Sequence, residues 1–406
     1  MKILIDGQTL LTPEINRGIG TYFKNSIENI LENDFTNEFY LNTPRGEHLN
    51  VLSPWAREKL SVIEDRAYDI RAPLKRFGQS QAKLYSDALN NDLEKRGIDL
   101  YWSPNALMDN VFLPARQARP CRFAVTIFDL IISVMEKTYA QHLTPAALIT
   151  YKEKLKLLER DYDLYLHISG HTKSDFAGHL RVKNKKHVVT PLAASKSFRP
   201  STFPVVPAAR DYVLYPGGFD PRKNMDRAIE AFADLQNRYG ADDERIRATE
   251  LWIVCSLETA AKDGILNYAD GLGVGGQVRL TGFVDDAALL ELYQKARCLF
   301  FPSLYEGFGL PVLEGLACGL PVAASNTSSL PEVGGDFATY FDPYNIKEMA
   351  DGLYRALQAP LDYQSRLTRY AYSKNFSWRK TSLATIAAFR DCVMEIERTK
   401  SGSVRA

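Results

Sequence analysis

Short apolar stretches alternate with longer amphipathic stretches along nearly the whole chain. In the N-terminal half, this pattern predicts strands at MKILIDG and at residues 99–105, 122–130, 164–169 and 187–193. Between some of these strands, apolar residues recur at intervals of three and four, which is the spacing of one helix face. That spacing predicts helices at residues 18–31, 145–161 and 172–180.

The C-terminal half repeats the alternation more regularly. Its strands are predicted at residues 211–218, 251–256, 277–283, 298–303 and 321–325. Its helices are predicted at residues 224–239, 258–269, 285–296 and 311–318. Strands that are apolar on both faces and are separated by helices are typical of parallel sheets covered on both sides. Two such series predict an α/β protein with two Rossmann-like domains.

A linker is predicted at residues 195–211, SKSFRPSTFPVVPAARD, because prolines and polar residues interrupt the apolar pattern there. The predicted domains therefore span residues 1–198 and 208–375. A terminal amphipathic helix is predicted at about 377–398, and we expect that it can pack back on the first domain. Its apolar face consists of Leu383, Ile386, Phe389, Val393 and Ile396.

The composition is typical of a soluble globular protein: 45% of the 406 residues are hydrophobic, with 50 Lys and Arg against 49 Asp and Glu. This balance lacks the basic excess of a dedicated nucleic-acid-binding protein. No apolar run approaches the roughly 20 residues that span a bilayer, and the start lacks a signal-peptide pattern. The five cysteines are scattered, which argues against disulfides and structural zinc and favours a reducing cytoplasm.

A glycine turn between two glutamates is the main candidate for chemistry, within FPSLYEGFGLPVLEGLACGLPV at residues 301–322. Pro311 suits the first turn of a helix, and Gly307 and Gly309 let the backbone approach a ligand. Free N–H groups at a helix start form an anion site. Ligands of α/β sheets also bind at the carboxyl ends of strands. The turn is therefore predicted to hold a phosphate.

Each of the two glutamates has two interpretations. If Pro311 opens the helix, Glu314 lies in its first turn, where a carboxylate binds sugar hydroxyls or simply complements the helix dipole. Glu306 precedes the turn and either contacts the same ligand or is a solvated loop residue. The arrangement of both acids around a predicted phosphate site favours ligand binding.

The stretch EGFGLPVLE resembles the two-glutamate signature of retaining glycosyltransferases of family 4, which have the GT-B fold. Further C-terminal segments of that family are similar to YPGGFDPRKN (215–224), LTGFVDDAALLELYQKA (280–296) and GLPVAASNTSSLPEVGGDFATYFDP (319–343). Its N-terminal segments are similar to RGIGTY (17–22) and HISGHTKSDF (167–176). The resemblance covers most of the chain and implies two Rossmann-like domains that face each other across a cleft.

The resemblance implies an acceptor-binding domain at 1–198 and a nucleotide-sugar-binding domain at 208–375. It implies that Glu314 binds the ribose, that Glu306 contacts hydroxyls of the transferred sugar, and that Lys223 neutralises the diphosphate. Further donor contacts are implied for the backbone amides of Phe308, Gly309 and Leu310, for Phe283 and Val284 at the base, and for Gly18 and Gly20 in the N-terminal glycine loop.

Two positions depart from the family pattern. Gly218 stands where many members have an arginine at the diphosphate. Arg222 is a candidate to supply part of that charge, or it is a solvated loop cation. Phe128 stands where a histidine often contacts the donor sugar, and because it cannot donate a hydrogen bond it can only pack against the sugar or close the cleft. The adjacent Asp129 is a candidate catalytic residue that binds a hydroxyl, or it caps a turn.

The implied reaction is transfer of a hexose from a nucleotide-sugar donor with retention of configuration. Lys223 and the helix-end amides are predicted to stabilise the departing diphosphate, so that neither a metal nor another cofactor is required. Two rival functions stay open. A glycoside hydrolase also uses two carboxylates but needs no phosphate cradle. A non-catalytic binding protein of the same fold is supported by Gly218 and Phe128.

The segments GGFDPRKN and TIFDL resemble mannosyltransferases of bacterial surface-polysaccharide assembly, so GDP-mannose is the predicted donor. A UDP-sugar or a deoxysugar donor is the alternative. The predicted acceptor is a growing glycan of polysaccharide or lipopolysaccharide O-antigen biosynthesis, free or lipid-linked. The basic-apolar stretches 151–160 and 181–187 either contact the inner face of an anionic membrane or are solvated helix faces and loops.

Overall fold

The computed structural model describes residues 1–16, 18–70, 75–76, 79–108, 111–117, 121–139, 141–201, 211–255 and 259–402. The chain divides into two compact units. The first unit comprises Met1–Leu192 and Ser377–Ala406, and the second comprises Ala193–Phe376. Most of the predicted linker, residues 202–210, lies outside the described residues.

The first unit is built on a parallel sheet. Its strands are β1 (Lys2–Asp6), β2 (Glu38–Thr43), β3 (Leu60–Glu64), the short antiparallel pair β4 (Lys75–Arg76) and β5 (Gln79–Ser80), β6 (Leu100–Ser103), β7 (Arg122–Ile127), β8 (Leu164–His167) and β9 (Lys186–Val189). Its helices are α1 (Gly18–Asn33), α2 (Pro54–Glu58), α3 (Gln81–Arg96), α4 (Ile131–Val134), α5 (Glu136–Tyr139), α6 (Pro145–Asp161) and α7 (Gly170–His179). Within the described residues the sheet has seven strands in the order β3-β2-β1-β6-β7-β8-β9.

The second unit is also built on a parallel sheet. Its strands are β10 (Tyr212–Tyr215), β11 (Glu250–Ile253), β12 (Val278–Leu280), β13 (Cys298–Phe301), β14 (Val322–Ser325) and β15 (Ala338–Phe341). Its helices are α8 (Met225–Tyr239), α9 (Glu244–Ala248), α10 (Thr259–Gly271), α11 (Asp286–Lys295), α12 (Leu310–Ala317), α13 (Leu330–Gly334), α14 (Ile346–Gln358) and α15 (Tyr363–Ser373). Its six strands, counted over the described residues, run in the order β12-β11-β10-β13-β14-β15.

The last helix, α16 (Trp378–Gly402), packs within the first unit. The Trp378 ring lies 6.0 Å from the Tyr22 ring of α1, measured between centroids. The Phe389 ring lies 5.4 Å from that of Trp102 on β6. These contacts bury Ile386 and Phe389 of the predicted apolar face. The prediction is wrong for Leu383, which is 45% exposed.

The predicted α/β class and the two Rossmann-like units are confirmed by these two parallel sheets. All four residues of β8, β10, β13 and β14 are buried, as expected for strands that helices cover on both faces. In α8, five of the seven buried residues follow the core-facing spacing: Met225, Ala228, Ile229, Phe232 and Leu235.

Candidate active site

The candidate site lies at the switch point of the second sheet. β10 pairs with β11 on one side and with β13 on the other, so the chain winds in opposite directions from this point. A crevice forms outside the carboxyl ends of two such strands. Lys223 follows β10 and Glu306 follows β13, and the topology therefore brings these two side chains together.

Two adjacent cations converge on the Glu306 carboxylate. Lys223 Nζ lies 2.6 Å from Oε1, and Arg222 Nη1 lies 2.7 Å from Oε2. The Glu306 side chain is 9% exposed, and the two cationic side chains are 14% and 22% exposed. The sequence placed all three residues in the donor site, and the structure brings them into one ion-pair cluster.

The turn that carries the cations is held by four contacts. Asp220 caps the 3-10 turn Pro221–Lys223 and accepts a second hydrogen bond from Arg222 Nε at 3.1 Å. Tyr215 donates its hydroxyl proton to the Lys223 carbonyl at 2.9 Å. Leu304 donates its N–H to the Arg222 carbonyl at 2.7 Å, which joins the cation turn directly to the glutamate loop.

The cations also determine the charge state of Glu306. Burial opposes ionisation of this carboxyl, but the charges of Lys223 and Arg222 and the hydrogen bond from Lys223 outweigh it and lower the pKa to about 2. Glu306 is therefore ionised at neutral pH. An ionised carboxylate accepts hydrogen bonds only, so sugar hydroxyls suit it as donors.

The glycine turn presents backbone N–H groups without a partner among the described residues. They belong to Phe308, Gly309 and Leu310. Gly309 has φ 106°, which favours glycine, and caps α12. The Ser329 hydroxyl lies 2.7 Å from the Phe308 carbonyl and fixes the other side of the turn. Free N–H groups at the start of α12 are suited to an anion.

The expected position of Glu314 in the first helical turn is wrong. The helix begins at Leu310, because the left-handed Gly309 already serves as its cap, and Glu314 is the fifth residue. Its carboxylate accepts a hydrogen bond from the Tyr293 hydroxyl at 3.0 Å. Burial raises the pKa of Glu314 to about 7, partly offset by this hydrogen bond.

The remaining predicted residues of the second unit lie in loops at the carboxyl ends of strands. Phe283 is 82% exposed after β12, beside the half-buried Val284. Gly218 is exposed after β10, and a Cβ added there would meet no atom within 4 Å. Gly218, Phe283 and Glu306 lie at the same edge of the sheet. Among the described residues, however, no contact of Gly218 or Phe283 with Glu306 is seen.

Three predicted residues lie in the first unit. Asp129 accepts a hydrogen bond from the N–H of Ile131 at 3.1 Å, so it caps a turn, as one of its two interpretations expects. Gly18 begins α1, and Gly20 leaves no room for a side chain, because an added Cβ would lie 1.9 Å from the Ile15 carbonyl oxygen. Their contacts with a donor stay predictions.

Phe128 packs edge-on against Tyr22, with ring centroids 5.1 Å apart and an interplanar angle of 85°. This contact lies within the first unit, and packing of Phe128 against a donor sugar stays a prediction.

Sequence reasoning missed several residues that support the site. Asp220 precedes a proline, which is a recognisable turn signal. Asn224 has φ 64° and donates to the carbonyls of Pro302 and Pro343 at 3.1 and 2.9 Å. Tyr293 lies 21 positions before Glu314, and no short-range pattern connects the two.

Two features are absent from the described residues: a metal-binding group of side chains and a membrane-spanning helix. No group of three or more His, Cys, Asp and Glu residues there could hold a metal ion. No helix in the same residues is long and apolar enough to cross a membrane.

Comparisons with known proteins agree with this geometry. The family of glycosyl transferases group 1 matches residues 203–374. The O-antigen chain mannosyltransferase B of Escherichia coli is 32% identical over 295 residues, which are 69% of this chain and 72% of that protein. The serotype-specific mannosyltransferase WbdA of Escherichia coli is 30% identical over 202 residues, which are 48% of this chain but only 24% of that protein.

Among solved structures, a sucrose-phosphate synthase from Thermosynechococcus elongatus is similar with a TM-score of 0.69. The match covers 96% of this chain and 98% of that chain at 17% identity, so it supports the fold alone. The match to the E. coli mannosyltransferase extends over both units at 32% identity. The chain therefore belongs to the glycosyl transferases group 1 family and is a glycosyltransferase.

Proposed function

We propose that the protein is a retaining hexosyltransferase that moves mannose from GDP-mannose to a glycan acceptor in surface-polysaccharide or O-antigen synthesis. The observation that carries the proposal is the convergence of Lys223 and Arg222 on the buried Glu306 at the sheet switch point. Cations and free N–H groups suit a diphosphate, and an ionised carboxylate suits sugar hydroxyls. The similarity to two E. coli mannosyltransferases supports mannose as the transferred sugar.

In the proposed reaction, the bond between the sugar and the diphosphate breaks and the acceptor oxygen bonds to the same sugar carbon from the same face. Negative charge develops on the leaving phosphate oxygen, which takes the proton of the acceptor hydroxyl. Lys223, Arg222 and the N–H groups at the start of α12 stabilise this charge. Because these fixed groups supply positive charge, we propose that transfer needs no metal and no side-chain nucleophile.

The donor is the first part of the proposal to test. The purified protein is screened against nucleotide sugars for thermal stabilisation and for slow donor hydrolysis, with and without EDTA. A ligand that binds only the folded state raises its apparent stability, so GDP-mannose should give the largest shift and should be turned over equally in EDTA.

The other outcomes of this screen identify the alternatives. A larger response to a UDP-sugar or a deoxysugar donor replaces GDP-mannose but keeps the transferase. Binding without turnover of any donor indicates a non-catalytic protein of this fold. The alternative of a glycoside hydrolase is no longer supported. Such enzymes usually have a single β/α barrel, whereas this chain forms two separate parallel sheets.

Glu314 is proposed to accept hydrogen bonds from the two ribose hydroxyls of the nucleotide. Its pKa of about 7 in the free protein means that it is only part ionised at neutral pH. Protonation turns one carboxyl oxygen into a donor, so only the ionised form offers both oxygens as acceptors to the two hydroxyls. Nucleotide binding therefore selects the ionised carboxylate and becomes weaker as the pH falls.

The pH dependence of nucleotide binding follows from this selection. For a group with a pKa of about 7, we expect about tenfold tighter binding of GDP at pH 8 than at pH 6, because the ionised fraction changes by that factor. Isothermal titration calorimetry measures the dissociation constant at each pH. The phosphates of GDP titrate in the same way with either protein, so they contribute the same pH dependence to both. The Glu314→Gln variant should bind GDP weakly, and its dissociation constant should change less with pH. If the dissociation constant of GDP changes equally with pH in the unchanged protein and in Glu314→Gln, the assignment of Glu314 to the ribose is contradicted.

Contact with an anionic membrane is proposed for residues 181–187. Arg181 and Lys183 are exposed, and residues 177–185 line an open cavity of about 620 Å³ with four basic and no acidic side chains. In the proposed stretch, Lys186 pairs with Asp391. The other candidate stretch is less available, because its Lys154 is buried and its Lys152 and Lys156 pair with Glu136 and Glu153. Such a contact would place the enzyme at the cytoplasmic face, near a lipid-linked acceptor.

Vesicle co-sedimentation tests the membrane contact. Binding to vesicles of anionic phosphatidylglycerol should decrease when Arg181, Lys183 and Lys185 are changed to glutamine, and it should be salt-sensitive. Vesicles of zwitterionic phosphatidylcholine are the control. Equal sedimentation of the triple variant and the unchanged protein removes the proposal.

A further inference from the structure

Two non-glycine residues have left-handed backbone conformations in the described part of the chain, and both adjoin the ion-pair cluster. Asn224 follows Lys223 with φ 64°, and Ser328 has φ 54°. Residues that carry a Cβ rarely adopt this region, and such strain is concentrated at functional sites. Asparagine visits the region comparatively often, but serine does not. Ser328 is therefore the more informative of the two.

The Ser328 hydroxyl is directed at the backbone of Glu306. Its Oγ accepts the Glu306 N–H at 3.0 Å and donates its own proton to the Thr327 carbonyl at 2.7 Å. Because the single hydroxyl proton is used by Thr327, a lone pair faces the Glu306 N–H.

The two neighbouring hydroxyls contact the same loop. Ser329 Oγ lies 2.9 Å from the Glu306 carbonyl oxygen, and Thr327 Oγ1 lies 3.2 Å from that of Leu304. These contacts hold carbonyl groups of the loop, whereas Ser328 alone of the three is bonded to the Glu306 N–H.

We propose that Ser328 is a positioning residue for Glu306. Its left-handed backbone places the hydroxyl where it fixes the Glu306 N–H, and so fixes the carboxylate between Lys223 and Arg222. Glycine would adopt this conformation without strain, but it has no hydroxyl to offer. The proposal rests on the proposed function, in which Glu306 contacts hydroxyls of the transferred sugar.

Replacing Ser328 with glycine removes the hydroxyl but also relieves the backbone strain. A loss of activity without a loss of stability can therefore be attributed to the missing hydroxyl. We expect an equal or higher melting temperature but about tenfold lower kcat with GDP-mannose, the effect of one lost hydrogen bond on geometry. The dissociation constant of GDP should stay within about twofold, since Glu306 is assigned to the sugar. The Ser328→Ala variant keeps the strain and lacks the hydroxyl, so it should lose as much activity and also some stability.

The exposed Asn326 lies in the same loop, and no side-chain hydrogen bond of Asn326 is seen among the described residues, so Asn326→Ala controls for loop changes and should keep normal kcat. A normal kcat in Ser328→Gly overturns the proposal, as does an activity loss that simply follows the melting temperatures of the variants.

A second measurement needs no turnover and therefore distinguishes this proposal from the proposed function. The carboxyl of Glu306 is titrated by NMR in protein with labelled glutamate, and its signal is assigned by its absence in Glu306→Gln. In Ser328→Gly its pKa should rise from about 2 towards the ordinary range, because the carboxylate moves away from the cations. An unchanged titration overturns the role of Ser328 even if every donor is turned over normally. Absence of turnover in the unchanged protein counts against the proposed function alone.

Discussion

Replacing Lys223 with alanine should lower sugar transfer by about 100- to 1000-fold, the loss that follows removal of one donor that stabilises transition-state charge. In the proposed reaction, the leaving diphosphate gains negative charge as the sugar bond breaks. The Lys223 ammonium is already in place, since its Nζ lies 2.6 Å from Glu306 Oε1 and 4.8 Å from the centre of the Phe301 ring. A preformed charge needs no reorganisation when the bond breaks, so its loss affects kcat.

Initial rates with GDP-mannose measure this effect, and circular dichroism melting shows whether the variant folds. The Lys223→Met variant preserves most of the apolar length of the side chain without its charge, and it should lose as much activity as Lys223→Ala. Lys262, which is an exposed lysine on α10 of the same unit, provides a matched control that should keep full activity as alanine. Near-normal turnover in both Lys223 variants contradicts the assigned role.

The central pair of this site could be predicted from the sequence, but its geometry could not. The residues around Glu306 and Lys223 carry recognisable patterns, whereas their contact depends on the adjacency of β10 and β13. Hydrophobic periodicity gives the elements and not their order in a sheet. Tyr293 was missed because a buried tyrosine on a helix has the same pattern as any core residue.

Elements with fully apolar patterns were predicted best. The interior strand β2, the edge strands β3 and β15 and the two-residue strands β4 and β5 were missed. Their patterns are mixed or short: β2 reads EFYLNT, and β3 exposes Ser61, Val62 and Glu64. The predicted position of Glu314 in the first helical turn was also wrong. Proline suggested the start of the helix, but the left-handed conformation of Gly309, which only the folded chain reveals, moved the start to Leu310.

Replacing Glu306 with glutamine should lower transfer by at least about 100-fold and should also change the acid stability of the protein. The amide has the same shape, but it cannot neutralise Lys223 and Arg222 or accept sugar hydroxyls on both of its polar atoms. In the unchanged protein, the pKa of Glu306 is lowered from 4.5 to about 2. A lowered folded-state pKa stabilises the folded protein above the unfolded pKa, and this stabilisation is lost as the pH falls from about 5 to about 2.

The lowered pKa corresponds to about 3 kcal/mol in the free energy of unfolding, which Glu306→Gln lacks at pH 7. Urea unfolding from pH 7 to pH 2 should therefore show the variant less stable at neutral pH, with the difference closing as the unchanged protein binds its proton. The Glu306→Asp variant keeps the charge on a shorter side chain, so it should retain more of the stability than of the activity. A stability difference that is constant across this range, together with normal transfer, would mean that Glu306 is neither the counter-ion of the cations nor a ligand of the sugar.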